Sequence, residues 1–206
     1  MSNKPQKLDP RVVRTRELLR NALIHLIQEK GFDAVKVQDI TEYATLNKAT
    51  FYLHYRDKED LLIRSIYQLL QELDAKIGLP NIPLSELTTP FLLKTITAMF
   101  EHFAQNADFY RVVFTKIGTP PVIAAIQNPI EAIVHRWLTK LQDAQTQALV
   151  DLDMITRYIS GGCVSLLQGW LSQPEPRPPE YVAQQFLSLI VLGIFPSAGL
   201  PTPEMP

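Results

Sequence analysis

The sequence has very few of the features that mark secreted or membrane-spanning proteins. Its 206 residues include a single cysteine, Cys163, which excludes an internal disulfide framework and fits a reducing compartment. No run of about 18 uninterrupted apolar residues is present, so a membrane-spanning helix is not expected. The first residues are basic and lack the apolar stretch of a signal peptide. We therefore expect a soluble protein of the cytoplasm.

Patterns typical of catalytic or metal sites are also missing. There is no glycine-rich phosphate loop, no serine or cysteine nucleophile motif and no carboxylate pair in a setting that suggests a cleft. The histidines have no metal-ligand spacing and no cysteine partners; they are His25, His54, His102 and His135. We therefore expect no enzyme activity, no metal and no cofactor.

The charge of the chain is unevenly distributed. A net charge of −1 would by itself argue against a nucleic-acid partner. Residues 1–78, however, carry 13 Lys and Arg against 11 Asp and Glu, whereas residues 79–206 carry 7 against 10. The positive charge is therefore concentrated in the N-terminal part of the chain.

Turn-forming residues divide the chain. The segment LPNIP at residues 79–83 interrupts a helical pattern and separates the two charge regimes. Residues 196–206 contain four prolines and little apolar surface, which is typical of a disordered tail. We predict one domain at 9–78, a second at 84–195 and a tail at 196–206.

The first helix is marked at both ends. Asp9 and Pro10 form a typical N-cap and first helical position, and Gly31 is placed to end the helix. Between them, apolar residues follow the spacing of a buried helical face; they are Leu19, Ala22, Leu23, Leu26 and Ile27. With the periodic patterns downstream, this favours an all-α fold.

The segment KATFYLHY at residues 48–55 alternates polar and apolar residues, which is typical of a strand. No partner strand is predicted nearby, and the segment lies between a three-residue turn and the acidic cap of a long helix, so we predict a short helix. Phe51 and Tyr55 then share a core face, while Lys48 and Tyr52 share a face without apolar partners. Two short helices joined by such a turn predict a helix-turn-helix, whose second helix enters the major groove of DNA.

The run ITEYATLNKATFYLHYRDKEDLL resembles the DNA-binding signature of the TetR family of bacterial regulators, over roughly residues 11–70. The family usually has Gly where this chain has Thr45 and Ala49, and often Ser or Thr where it has Lys36. The resemblance implies that the protein binds an operator of double-stranded DNA. By its donor and acceptor pattern, a Gln side chain suits adenine and a Lys side chain suits guanine. It implies that the residues at base edges are Gln38, Lys48, Ala49 and Tyr52, and that those at phosphates are Thr50, His54 and Lys58.

The C-terminal part is similar to the domain type of the dihydroxyacetone-kinase operon activator, in the runs MFEHFAQNADFYRVVF and YISGGCVSLLQGWLSQPEPRPPEYVAQQFLSLI. This resemblance implies a helical dimerisation domain and names no ligand. Aromatic residues with a few polar ones suggest an effector pocket, although core packing explains most of the aromatics equally well. The candidate ligand residues are Phe100, His102, Phe103, Tyr110, Arg111, Phe114 and Tyr158.

Two adjacent glycines inside a predicted helix suggest a close approach of two helices. Each glycine costs about 1 kcal/mol against alanine in a helix interior, so close packing is the favoured explanation over a tolerated kink. The predicted homodimer interface comprises Gly161, Gly162, Leu166, Trp170, Leu187 and Ile190.

These expectations combine into a ligand-responsive repressor that binds a palindromic operator as a homodimer. The effector is an unknown small molecule, and activation instead of repression is not excluded by the sequence. The alternative is a helical protein-interaction or adaptor module without DNA binding, which salt-dependent binding of the pure protein to DNA would distinguish.

Overall fold

The computed structural model describes residues 9–77, 88–141 and 150–194, and most of the residues in these ranges are helical. No strand occurs within them, which confirms the predicted all-α class. Short π-helical turns at Val113–Ile117 and Ile190–Ile194 continue the sixth and ninth helices. The helices are α1 (Pro10–Lys30), α2 (Val37–Tyr43), α3 (Lys48–His54), α4 (Lys58–Ile77), α5 (Thr89–Gln105), α6 (Ala107–Val112), α7 (Pro120–Leu141), α8 (Leu152–Leu171) and α9 (Pro179–Leu189).

The helices form two compact units, one ending at Ile66 and the other beginning at Tyr67, so α4 contributes to both. The predicted break at 79–83 and the predicted tail at 196–206 lie outside the described residues. The domain bounds 9–78 and 84–195 therefore stay predictions.

Helix α1 begins and ends at the predicted caps. The Asp9 carboxylate accepts a hydrogen bond of 2.8 Å from the backbone N–H of Arg11, and Pro10 occupies the first helical position. At the other end, Gly31 has φ +79°, a conformation that favours glycine. The predicted apolar stripe is buried, and Ile24 is buried beside it. This stripe is the part of α1 that enters the core of the first unit.

The segment predicted as a short helix is helix α3. The Asn47 side chain caps it by accepting a 2.7 Å hydrogen bond from the backbone N–H of Thr50. Phe51 is fully buried and Tyr55 is nearly so, which confirms their predicted place in the core. In the turn before α3, Thr45 has φ +56°, a left-handed conformation that is unfavourable for a β-branched residue. The turn therefore carries strain at the position where the TetR family usually has glycine.

Helix α2 begins without a side-chain cap from Lys36. Asp39 compensates, because its carboxylate accepts hydrogen bonds from the backbone N–H of Lys36 at 2.8 Å and from the ammonium of Lys30 at 2.7 Å. The bond from Lys30 and then the bond from Lys36 hold the pKa of Asp39 below its usual value. An acidic residue in the first turn thus satisfies the start of α2.

Two aspartates organise the start of α4. Asp57 caps the helix by accepting a 2.7 Å hydrogen bond from the backbone N–H of Asp60. The Asp60 side chain is buried and accepts bonds from the backbone N–H of Arg56 at 3.0 Å and from the guanidinium groups of Arg56 and Arg64 at 3.2 and 2.9 Å. Burial alone raises the pKa of Asp60, but these hydrogen bonds outweigh it and the pKa is lowered. This carboxylate is a fixed anionic centre beside the helix-turn-helix.

In the second unit, α5 packs along α9 and α7 packs along α8. An aromatic cluster lies in its core, where Phe100, Phe103 and Tyr110 are fully buried. The rings of Phe103 and Tyr110 have centroids 4.5 Å apart. Among the helices of the described ranges, none has the length and apolar character that crossing a membrane requires.

Candidate functional site

The outer face of α3 carries three of the four side chains expected to read base edges. Lys48 and Ala49 are exposed, and Tyr52 is 58% exposed. The ring of Phe51, buried beneath, lies edge-on to the ring of Tyr52 with centroids 5.5 Å apart. The buried ring of Phe51 thus supports the ring of Tyr52. The exposed side of α3 presents the ammonium of Lys48, the methyl group of Ala49 and the phenol of Tyr52 together.

Leu53 is a second large side chain on this surface, and the sequence analysis gave it no role. It is 81% exposed, the highest value among the large apolar residues that the structure describes. Its position four residues after Ala49 places both on one face of α3, and this spacing was the signal that could have found it. An exposed aliphatic group beside Ala49 is suited to contact the methyl group of thymine.

Gln38, the fourth predicted base-reading residue, lies on α2 and is joined to α3 by hydrogen bonds. Its side-chain oxygen accepts from the Lys48 ammonium at 3.1 Å, and its side-chain nitrogen donates to the Glu42 carboxylate at 2.8 Å. Glu42 was not predicted to take part, although its spacing of i, i+4 from Gln38 places the two on one face of α2. The cation and the carboxylate together fix which end of the Gln38 amide faces Lys48.

Thr50 and His54, two of the predicted phosphate contacts, are half-buried on α3. The Thr50 hydroxyl donates to the Asn47 side-chain oxygen at 2.9 Å. Burial, and then the positive charge of Arg16, lower the pKa of His54. The ring is therefore biased toward its neutral form, which still carries one N–H donor.

Lys58, the third predicted phosphate contact, is engaged within the protein. Its ammonium donates to the backbone oxygens of Phe32, Asp33 and Val35 at 2.8, 3.1 and 3.0 Å. It also lies over the ring of Phe32, 4.7 Å from the centroid. Because an ammonium has three N–H groups, these bonds use all of its donors. This geometry gives Lys58 a role in closing the loop between α1 and α2, which the sequence analysis missed.

None of the predicted effector residues lines the apolar cavity that the structure describes among the helices of the second unit. Phe100, Phe103, Tyr110 and Phe114 are buried against one another in the core. His102 is buried too, with its Nε2 atom 3.4 Å from the Tyr110 hydroxyl. Core packing, the alternative interpretation of these aromatics, is therefore the better description.

The two remaining candidates lie elsewhere. Arg111 donates from Nε to the backbone oxygen of Leu171 at 3.0 Å and from Nη1 to Asp108 at 3.3 Å, so it links helices. Tyr158 is 71% exposed on α8. Neither side chain borders this apolar cavity of the second unit.

That cavity has a volume of about 130 Å³ and lies among α4, α5, α7, α8 and α9. Its wall is almost entirely hydrocarbon. On α5 the lining positions are spaced i, i+3, i+4 and i+7, the pattern of one helical face. The lining residues are Ile77, Leu92, Thr95, Ile96, Met99, Ile133, Val134, Trp137, Leu138, Ile159, Phe186, Leu187 and Ile190.

The residues predicted at the dimer interface separate into two groups. Trp170 is buried and donates to the backbone oxygen of Arg177 at 2.8 Å, and Leu187 and Ile190 line the cavity. Gly162 and Leu166 instead lie exposed on α8, with Gly161 half-buried beside them. We refer to this exposed face as the α8 surface; it also includes Met154, Tyr158, Ser165 and Gly169.

The α8 surface is shallow and partly apolar. Met154 and Tyr158 are 64% and 71% exposed, and a methyl group added at Gly161, Gly162 or Gly169 would meet nothing within 4 Å. The glycines are therefore not required by packing inside this chain. Sequence spacing could have found Met154, Tyr158 and Gly169, because they follow the helical period of Gly161 and Gly162.

Comparisons with known proteins agree with this architecture in both units. Residues 19–64 match the model of the bacterial regulatory proteins of the tetR family, and residues 92–191 match that of a transcriptional regulator C-terminal region. The HTH-type transcriptional regulator YxbF of Bacillus subtilis is 27% identical over 189 residues, which cover 91% of this chain and 47% of YxbF. The chain thus spans about half the length of that relative.

Solved structures share the fold. A TetR-family transcriptional regulator from Syntrophomonas wolfei superimposes with a TM-score of 0.73 at 18% identity, covering 89% of this chain and 97% of that one. The dihydroxyacetone kinase operon activator DhaS superimposes with a TM-score of 0.60 at 16% identity, covering 88% and 97%. Because the N-terminal and C-terminal models match successive parts of one chain, the protein belongs to the TetR family of bacterial regulatory proteins.

Proposed function

We propose that this regulator binds a palindromic DNA operator as a homodimer and that a small-molecule effector changes its affinity for that operator. The observation that carries the proposal is the outer face of α3, where Lys48 and Tyr52 are exposed over the fully buried Phe51. A solvated helix face rarely needs an aromatic ring, whereas a helix in the major groove uses such side chains at base edges.

Base reading is assigned to Gln38, Lys48, Ala49 and Tyr52. Lys48 suits the acceptor atoms of guanine, and the Gln38 amide suits the donor and acceptor pair of adenine. The contacts of Gln38 with Lys48 and Glu42 support this, because they orient the amide before DNA is bound. Glu42 is then a positioning residue for the reading of one base pair.

Backbone contacts are assigned to Thr50 and His54, which set register and carry no sequence information. Thr50 has to turn its hydroxyl from Asn47 to a phosphate, and neutral His54 can donate its remaining N–H. Lys58 reaches a phosphate only by releasing loop carbonyls that now occupy its three donors. We therefore assign Lys58 to the loop, which holds α2 in place for Gln38.

Dimerisation is assigned to the α8 surface. Two copies related by a two-fold axis place the same patch against itself, and the glycines of this patch allow two helices to approach closely. A two-fold dimer binds two half-sites about one helical turn of DNA apart, ~34 Å or a multiple of it. The operator is therefore expected to be palindromic.

Effector control is assigned to the apolar cavity. Its lining includes Ile77, the last residue of α4, and α4 is a continuous helix that begins at Lys58 in the unit that carries α3. At 1.5 Å per residue, such a helix transmits a displacement over ~30 Å. An effector changes operator affinity only if it binds one conformation of the protein more tightly than another, and here the two conformations differ in the position of α4. We predict that the regulator represses transcription in the cytoplasm.

Selection of bound fragments from a random DNA pool tests the proposal directly. The expected product is a palindrome whose half-sites lie about one helical turn, or a multiple of it, apart. Selection with Lys48→Ala should lose the sequence preference at one base pair in each half-site. Lys94 is an exposed lysine on α5, and selection with Lys94→Ala should give the same palindrome as the wild type. A pool without enrichment, together with the absence of salt-dependent binding to DNA, would favour the adaptor module instead.

A further inference from the structure

The cavity of the second unit has properties that restrict its ligand. Twelve of its thirteen lining side chains are hydrocarbon, thioether or aromatic, and the remaining one is Thr95. The Thr95 hydroxyl already donates to the backbone oxygen of Phe91 at 3.0 Å, so its proton is committed to its own helix. The wall that a ligand meets is therefore a surface of carbon with very little polarity.

Charge is absent from the lining residues that the structure describes. An ion pair on the participating helices joins Asp74 of α4 to Arg136 of α7 at 2.6 Å, and neither residue lines the cavity. A carboxylate, phosphate or ammonium placed inside would lose its hydration without gaining a partner, which is strongly unfavourable. The chemistry of the wall therefore disfavours an ionised group inside the cavity.

Size gives the second restriction. The cavity measures about 130 Å³, below the ~300–1,000 Å³ of pockets that hold drug-sized ligands. An apolar cavity of about 150 Å³ engineered in another protein stays dry and admits benzene. A single six-membered ring with few substituents therefore matches this cavity, and a long acyl chain exceeds it.

We propose that this cavity binds a neutral, apolar molecule of about the size of a monocyclic aromatic hydrocarbon. Binding itself stands on the cavity alone; only its effect on the operator rests on the proposed regulatory function. Trp137 and Met99 are both among the lining residues, and both side chains are suited to contact an aromatic ring.

The first experiment uses the unmodified chain and a series of probes of equal ring size. Toluene and fluorobenzene should raise the melting temperature by about 3 °C at a concentration of ten times their Kd. The ¹⁹F resonance of fluorobenzene should broaden on addition of protein, and unlabelled toluene should reverse this. Benzoate and benzylamine, which have the same ring with a charge, should do neither. Equal or tighter binding of benzoate would overturn the proposal.

A matched pair of variants tests the location. Val134→Phe fills the cavity from α7 and should weaken toluene binding at least tenfold. Val182→Phe makes the same change at a half-buried position of α9 outside the cavity lining and should leave binding within twofold. Equal affinities in the two variants would place the ligand elsewhere and overturn the assignment.

A third variant distinguishes hydrocarbon recognition from anchoring by a hydroxyl. Thr95→Val keeps the shape and removes the oxygen, so toluene binding should be unchanged or tighter, whereas a hydroxyl-anchored ligand would be lost. Operator affinity is measured in parallel without probe. If the protein binds its operator but does not respond to toluene or fluorobenzene, the proposed ligand class is wrong and the proposed regulatory function stands. If the unmodified protein does not bind an operator, the proposed regulatory function is wrong.

Discussion

The two units of this protein differ in what holds their functional surfaces together. In the first, polar side chains act at fixed positions: Asn47 caps α3, Asp57 caps α4, and Asp60 joins Arg56 to Arg64. In the second, the surfaces of interest are a cavity left between apolar helices and an exposed stripe rich in glycine. The functional surface of the first unit thus depends on individual hydrogen bonds, and those of the second depend on the space that the side chains leave free.

This difference predicts how each unit responds to substitution. A polar network depends on each of its members, because a buried group left without its partner costs its full desolvation energy. A cavity and a helix face depend on the space that their side chains leave, so added volume should be the more damaging change there. Each of the four substitutions that follow tests one side of this contrast.

The largest expected effect comes from added volume on the α8 surface. Gly162→Leu should separate the two helices of the proposed dimer and yield a monomer, whose operator affinity should fall at least ~100-fold because two linked half-site contacts become one. Inside one chain the new side chain meets open space, and leucine favours helix over glycine by about 0.8 kcal/mol, so the fold should be retained. Sedimentation and operator binding measure the two effects.

Lys94→Leu provides the control for that substitution, because it places the same side chain at an exposed position of α5. It should remain dimeric. An unchanged dimer in Gly162→Leu would show that the subunits meet through another surface.

The same contrast explains how much the sequence could predict. The caps at Asp9, Asn47 and Asp57 and the buried pair Phe51 and Tyr55 were predictable because they depend on local spacing. The helix at residues 48–55 was predictable in spite of its alternating pattern, since a strand there has no partner.

The cavity was not predictable in the same way. Aromatic residues were the natural candidates for a pocket, yet Phe100 and Phe103 fill the core, and aliphatic residues such as Ile96 and Val134 surround the empty space. Whether a side chain fills space or borders it depends on the packing of several helices. Local spacing does not contain that information.

The second prediction removes a single side chain from the DNA-reading face. Tyr52→Ala should weaken specific operator binding by about 1–3 kcal/mol per half-site and leave binding to random DNA nearly intact, because the phenol reads bases and carries no charge. Tyr43→Ala is the matched control, since Tyr43 is similarly exposed at 53% but stacks on His25, with ring centroids 4.5 Å apart. An equal loss on random DNA would remove Tyr52 from the base-reading set.

The third prediction concerns the carboxylate network of the first unit. Asp60→Asn should lower the free energy of unfolding at pH 7 by about 2 kcal/mol, because hydrogen bonds to a charged group are lost or weakened. Asp33→Asn, at an exposed position, should change it by less than about 0.5 kcal/mol.

The effect at Asp60 should depend on pH. Its pKa is lowered in the folded protein, so its contribution is present above the ordinary value of 3.8 and is lost as pH falls through the folded pKa. The difference between the wild type and Asp60→Asn should therefore be constant near neutrality and shrink in acid. Urea denaturation across a pH series measures this, and a difference that grows in acid would contradict the assigned sign.

The smallest effect is expected at the turn of the helix-turn-helix, and it should be stabilising. Thr45 has φ +56°, where a β-branched side chain is strained and glycine is not. Thr45→Gly should therefore raise the free energy of unfolding by about 1 kcal/mol, after allowance for the greater freedom of glycine in the unfolded chain. Ala49→Gly is the opposed control, because glycine inside α3 should lower the same quantity by about 1 kcal/mol. Urea denaturation with an unchanged m-value measures both. A loss of stability in Thr45→Gly would show that contacts of the threonine side chain outweigh the strain of its backbone. The turn would then depend on an individual side chain, as the polar network of this unit does.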